Sequence, residues 1–264
     1  MRSASPRRCA RRSRRPASPS PPSRDDAEPL MAWLDGATLR PSGEAAFVIE
    51  YGEEIDQTVG QRVAGLYAAI SAAAPEGFVE AVPTFRSLLV LFDPDVTSKD
   101  AILAALPEES ADAAAATTEW IVPACFDADV AEDLEEAARN LDLPPDTVRE
   151  RLAASHYQIG MYGFAPGYAY MSGIDQSLTL PRRQKPRPPI PAGSIIMAAG
   201  MAVLCSVSMP TGWYVVGRTA LTLFDPDRDP MVPFAVGDRL TFEPVSREEL
   251  ERLAREGNGL RRAS

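Results

Sequence analysis

Residues Ser194 to Thr219 read S-I-I-M-A-A-G-M-A-V-L-C-S-V-S-M-P-T-G-W-Y-V-V-G-R-T. Three short apolar runs, Ser194–Ala198, Met201–Val207 and Trp213–Thr219, alternate with Gly and Pro punctuation. Runs this short, rich in β-branched and aromatic residues and closed by turn formers, predict strands rather than helices. The same texture lies on both sides, at Tyr157–Tyr162 and Arg239–Pro244, and a further strand is predicted over Trp120–Cys125. Strands at this spacing imply a sandwich or barrel over residues 119–246. A helical hairpin, 131–153, interrupts them: an amphipathic Ala131–Leu141, then a helix from Pro145 to Ala153 entered through Pro144-Pro145. A last helix, Arg247–Arg255, has Ser246 as cap and Glu249 three residues on, and opens a C-terminal segment over 247–264.

Upstream, residues 31–110 read as a small α+β domain. Ala46–Glu50, Phe78–Val82 and Ser87–Phe92 are predicted strands, the last continuous enough in its apolar residues to be a buried central one. Gln57–Ala73 carries Val59, Val63, Leu66 and Ile70 on one helical stripe, and a second helix follows a Thr97 or Ser98 cap. Helices between strands suggest a split βαβ layout. Residues 107–118 read as a linker. Residues 1–30 are rich in Arg, Ser and Pro, too poor in apolar area to offset ordering, and are expected to be a disordered extension ahead of a start at Met31.

Charge narrows the partners. Residues 1–24 hold eight Arg and no acid, so the remaining 19 basic and 37 acidic residues give that body a net charge of −18. An acidic body argues against nucleic acid. The apolar stretch Ile195–Val207 is broken by Gly200 and Ser206 and is too short to span a membrane. Cys9, Cys125 and Cys205 form no C-x-x-C pair, and their odd number fits a reducing, cytoplasmic compartment. Leu134–Leu152 has a helix-turn-helix look, but its acids oppose DNA binding and a packed hairpin is favoured. His156, the only histidine, cannot build the usual zinc site, and its neighbour Ser155 would point to the opposite face of a strand; no metal site is expected.

The informative segments are few. Gly163–Tyr170, G-F-A-P-G-Y-A-Y, combines Gly163 and Gly167 with Pro166 and the aromatics Phe164 and Tyr168. Such a loop either walls a flat amide ligand or is a rigid turn with its aromatics in the core. Leu180–Gly193 carries Arg182, Arg183, Lys185 and Arg187 among prolines, suited to an anion, to an acidic face or simply to solvent. In G-W-Y-V-V-G-R-T, Trp213 could wall a ligand, while Arg218 between Gly217 and Thr219 ends a strand where a guanidinium plus a hydroxyl can grip a carboxylate.

Taken in order, G-F-A-P-G-Y-A-Y, L-P-R-R-x-x-P-R-x-x-I-P-A-G-S, G-W-Y-V-V-G-R-T, L-F-D-P and G-D-R-L-T-F resemble the family called allophanate hydrolase subunit 1, also known as the B-type subunit of 5-oxoprolinase, over roughly residues 38–246. That family includes the KipI kinase inhibitor. The resemblance implies a small α+β domain followed by a cyclophilin-like β-barrel. It also implies pairing with a C-type subunit, and with an A-type subunit in an ATP-dependent 5-oxoprolinase, or a role in the carboxyltransferase of urea carboxylase. On that reading the substrate is a small amide. Arg183, Arg218 and Thr219 are the expected catalytic residues, and Phe164, Pro166, Gly167, Tyr168, Trp213 and Gly217 the expected substrate-binding ones. ATP would be used by the assembled complex, since this chain has no G-x-x-x-x-G-K-[ST] loop, and carboxybiotin would come from a partner. The alternative is a KipI-like inhibitor that binds a sensor histidine kinase. Two departures stand out. Where relatives often carry a His ahead of the Tyr matching Tyr157, this chain has Leu152. Where many carry G-G-Q-T-G-I-Y-P, Ala199–Ser206 makes an apolar loop.

Overall fold

The computed structural model describes residues 32–106, 117–257 and 259–263. The expected disordered extension, the start at Met31 and most of the linker lie outside them.

β1 (Ala37–Pro41), β2 (Ala46–Tyr51), β3 (Phe78–Pro83) and β4 (Ser87–Phe92) form an antiparallel sheet in the order β1-β2-β4-β3. β2 and β3 both run against β4, so they are parallel to each other, and α1 (Gln57–Ala73) crosses between them. Asp56 starts α1 by accepting from the N–H groups of Thr58 and Val59. Phe47 and Ile49 of β2 and Leu88 and Val90 of β4 are buried together with Val63, Leu66 and Ile70 of α1. β4 is not buried continuously, as its apolar run predicted. Its burial alternates, with Leu89 and Leu91 only partly covered, because a helix lies against one face. α2 (Lys99–Ala104) adds Ile102 to the same core.

The second apolar core lies inside a closed barrel. β5 (Glu119–Cys125), β6 (Tyr157–Tyr162), β7 (Ala169–Ser172), β9 (Ser194–Ala198), β10 (Met201–Leu204), β12 (Tyr214–Thr219) and β13 (Arg239–Pro244) follow one another as β12-β9-β10-β7-β6-β13-β5, and β12 pairs back onto β5. Every second residue turns inward, as with Tyr157 and Ile159, Ile195 and Met197, and Leu240 and Phe242. α3 (Leu134–Leu141) and α4 (Pro145–Ala154) add Leu134, Ala137, Val148 and Leu152 to that core, so the hairpin packs against the barrel as expected. α3 starts at Leu134, three residues later than predicted, because the Asp133 N–H is spent on the Val215 carbonyl at 2.9 Å. α5 (Arg247–Glu256) begins with Ser246 accepting from the Glu249 N–H and packs on β5. The short β14 (Arg261–Arg262) adds to β5.

The proline-rich stretch is a strand, which its composition obscured. β8 (Arg187–Ile190) and β11 (Met209–Thr211) pair as a separate ribbon outside the barrel. Pro188, Pro189 and Pro210 have no N–H to give, and a two-stranded ribbon is where such strands are tolerated.

Closure is short, with Arg218 opposite Cys125 and Thr219 opposite Ala124. It works because residue 217 is glycine: a Cβ there would lie 2.8 Å from the Phe126 ring and 3.1 Å from the Cys125 carbonyl. Gly217→Ala is therefore expected to lower stability in urea unfolding by about 1–3 kcal/mol, the usual cost of overpacking, and a companion Phe126→Leu should recover part of the loss. A Gly217→Ala chain as stable as the parent would show that the seam has room to spare.

Candidate functional site

Two features of the barrel's outer surface meet near the end of β12. The first is a charged cluster. Asp133, 1% exposed, accepts from Arg183 at 2.8 Å through one oxygen, and from Arg187 at 2.6 Å and the Val215 N–H at 2.9 Å through the other. Arg183 also reaches Glu136 at 2.7 Å and lies over the Tyr214 ring at 5.2 Å. Arg187 also reaches Glu132 at 2.6 Å. The hydrogen bond to Asp133 and the surrounding acids hold the Arg187 guanidinium above its ordinary value. A buried carboxylate is tolerable only when paired and hydrogen-bonded in this way.

Arg218 completes the cluster differently. Its closest acidic partner among the described residues is Glu132 at 3.8 Å, outside hydrogen-bond range, and its Nε–H is buried without a partner. Its side chain, 20% exposed, lines a groove of about 420 Å³ with Pro191, Ser206, Thr219 and Leu223, bounded on the far side by Arg247 and Leu250.

The glycine-proline-aromatic loop borders this groove. The Ser206 hydroxyl donates to the Pro166 carbonyl at 2.5 Å. Gly167 has φ +69°, and a Cβ there would lie 2.7 Å from the Leu223 carbonyl, so glycine is required on both counts. From the loop a row of rings runs across the barrel's outer surface: Phe164 to Tyr168 at 5.6 Å, Tyr168 to Tyr170 at 5.5 Å and Tyr170 to Trp213 at 6.1 Å. Arg182 closes the row over Trp213 at 5.7 Å.

The structure thus places Arg218 and Thr219 in the groove lining, with Pro166 and Gly167 touching its lining residues Ser206 and Leu223, and sets the other predicted residues elsewhere. Arg183 faces Asp133, Glu136 and the Tyr214 ring, away from the row that runs from Phe164 to Trp213, because a buried carboxylate claims its guanidinium. Thr219 is 3% exposed and its Oγ1 accepts from the Leu221 N–H at 3.4 Å, which engages the hydroxyl in the turn after β12. Tyr168 and Trp213 are buried within the outer layer, and of this row Phe164, 77% exposed, presents a full ring to solvent. Burial raises the Tyr168 hydroxyl and pushes the neighbouring Cys205 thiol up to about 12, so both stay protonated near neutrality. The expected apolar loop at Ala199–Ser206 is largely strand β10, with Ala202 in the barrel core. Leu152 is fully buried, its carbonyl accepting from the Tyr157 hydroxyl, and His156 is exposed.

Residues 37–234 match the family described as carboxyltransferase domain, subdomain C and D. The chain belongs to that family. Over 230 residues it is 31% identical to a protein of Bacillus subtilis named as the B-type subunit of 5-oxoprolinase, covering 82% of this chain and 96% of that one. The solved structure of TTHA0988 shares 28% identity and a TM-score of 0.68 over 76% of this chain, which spans 40% of that chain. The urea carboxylase of Kluyveromyces lactis shares the fold at 19% identity and a TM-score of 0.63, with 86% of this chain covered and 24% of that one.

Within this carboxyltransferase-type chain, the sequence reading missed Glu132, Asp133, Glu136 and Ser206. A usable signal existed for the first three: an acidic E-D-L-E-E at 132–136 answers the dense cationic stretch 182–187 of an acidic body. Asp133→Asn should cost about 3–5 kcal/mol in urea unfolding, because it strands buried guanidinium charge. Glu136→Gln, at a half-exposed carboxylate, should cost less than about 1 kcal/mol. Equal losses for the two would remove Asp133 from its central place.

Proposed function

We propose that this chain is the B-type subunit of an ATP-dependent 5-oxoprolinase, or of the related carboxyltransferase acting on urea-like amides, and that a C-type subunit completes its active site on the groove beside Arg218. The observation that carries this reading is Arg218 itself. It is a partly buried guanidinium at the rim of a groove, with an unspent N–H and, among the described residues, no carboxylate within hydrogen-bond distance. A planar cation in that state suits the carboxylate of 5-oxoproline, or that of carboxybiotin delivered by a partner.

The groove supplies binding but little acid–base chemistry. Its acidic lining residue, Glu251, is held by Arg247 at 2.8 Å. Opening a lactam needs a group to move protons, and we assign that group to the partner. ATP is assigned elsewhere too, because the loop 163–168 is closed on itself: Gly163 N–H donates to Tyr168, Ala165 N–H to Gly163 and Tyr168 N–H to Ala165. Those amides are not free to cradle phosphate. The exposed Phe164 and the row behind it would serve as the face that meets the partner, since an aromatic anchor is what such contacts favour. The name of the Bacillus relative and the small share that this chain represents of TTHA0988 and of the yeast enzyme support a part that works within a larger assembly.

The isolated chain should show no turnover, and co-purified C-type and A-type subunits should restore ATP-dependent ring opening of 5-oxoproline. In that complex Arg218→Ala should raise KM by about 10–100-fold, the value of a charge-assisted hydrogen-bonding group, with Arg218→Lys recovering only part because it loses the planar fork. A reconstituted complex inert toward 5-oxoproline and urea, or an unchanged KM for Arg218→Ala, would sink the reading.

A further inference from the structure

We propose that Glu132 is a positioning residue that stands in for the ligand's carboxylate, holding Arg218 loosely until a bound anion takes the guanidinium from it. This rests on Arg218 being the anion-binding group of the groove.

Three observations converge. First, the arginines of the cluster are unequally satisfied. Arg183 and Arg187 each make two carboxylate contacts at 2.6–2.8 Å, whereas Arg218, among the described residues, has Glu132 alone, at 3.8 Å. An attraction at that range orients a side chain without fixing it, and a ligand carboxylate at normal hydrogen-bond distance would outcompete it. Second, Glu132 does not depend on Arg218. Its other oxygen accepts from Arg187 at 2.6 Å, so releasing Arg218 leaves no stranded carboxylate. Third, Arg218 has an additional reason to move, since its buried Nε–H lacks a partner and a buried unmet donor is costly. Arg183 also has an unmet Nε–H, but its Nη1 is bound to two carboxylates and anchors it in place. The same arrangement keeps Arg218 from Asp133, which is fully committed to Arg183, Arg187 and the Val215 N–H.

The exchange should be visible as competition. In the reconstituted complex, Glu132→Gln keeps the shape and an acceptor for Arg187 but removes the competing charge, so KM for 5-oxoproline should fall by about two- to fivefold with kcat unchanged, as expected for a partly exposed ion pair. Glu136→Gln, which touches Arg183 and not Arg218, should leave KM where it was. On an Arg218→Ala background the effect of Glu132→Gln should vanish. An unchanged or raised KM in Glu132→Gln, or a gain that survives without Arg218, overturns the proposal.

A second measurement separates this idea from the functional reading. In the co-purified complex without ATP, the Nε–H resonance of Arg218 is followed by NMR during titration with 5-oxoproline. The proposal expects a saturable shift with an apparent Kd about two- to fivefold lower in Glu132→Gln. A resonance that responds equally in both proteins refutes the role of Glu132 while leaving Arg218 as the anion site. A resonance that does not respond refutes both.

Discussion

Asp133 is the constraint around which the barrel's outer surface is arranged. Its carboxylate is almost wholly removed from water, which obliges the chain to surround it with donors. Those donors come from distant stretches: Arg183 ahead of β8, Arg187 within β8 and the Val215 N–H of β12. The Asp133 N–H returns a bond to the Val215 carbonyl. One residue therefore ties the start of α3, a core strand and the proline-rich ribbon into one structure. The ribbon could not hold its place by backbone pairing to the barrel, because its prolines offer few N–H groups. Ion pairs to a buried acid replace the missing ladder.

That arrangement decides what Arg218 can do. The acids around Asp133 are shared out among Arg183 and Arg187, so the third arginine arrives at a cluster whose close contacts are taken. A guanidinium at 3.8 Å from half a carboxylate, with a buried N–H unmet, is an interaction left incomplete. Two arginines of the cluster are tightly bound; the third, which is not, faces a groove. The contrast singles out Arg218 as the candidate binding group better than the residue type does, since all three arginines are equally cationic.

Much of the barrel was legible because period-two burial and turn residues are local signals. Tyr157–Tyr162, Ser194–Ala198 and Arg239–Pro244 lie where their alternation put them, and Ser246 with Glu249 marked the last helix. β7 was missed because Ala169–Ser172 is short and hidden behind the glycine-rich loop. β8 was missed because proline chemistry argues against strands and says nothing of a ribbon held by side chains. The site was only half legible. Motif spacing drew attention to Arg183 and Arg218 together, but no local pattern reveals that Asp133 would be buried and would claim one arginine and spare the other. That allocation depends on where α3 docks against β12, a long-range fact.

The filled barrel also bears on where a ligand could sit. The barrel core is filled by side chains such as Tyr157, Met171 and Phe242, and the groove beside Arg218 lies on the outside. An outer groove is shallow and wet. The electrostatic grip of a guanidinium weakens there, because water competes for both partners. Covering the groove with a second polypeptide would expel that water, strengthen the Arg218 contact and bring in a proton-transfer group, all in one docking step. An exposed Phe164 next to the groove gives such a cover an apolar foothold. Under the proposed function, binding would then lie on one surface and catalysis on its cover.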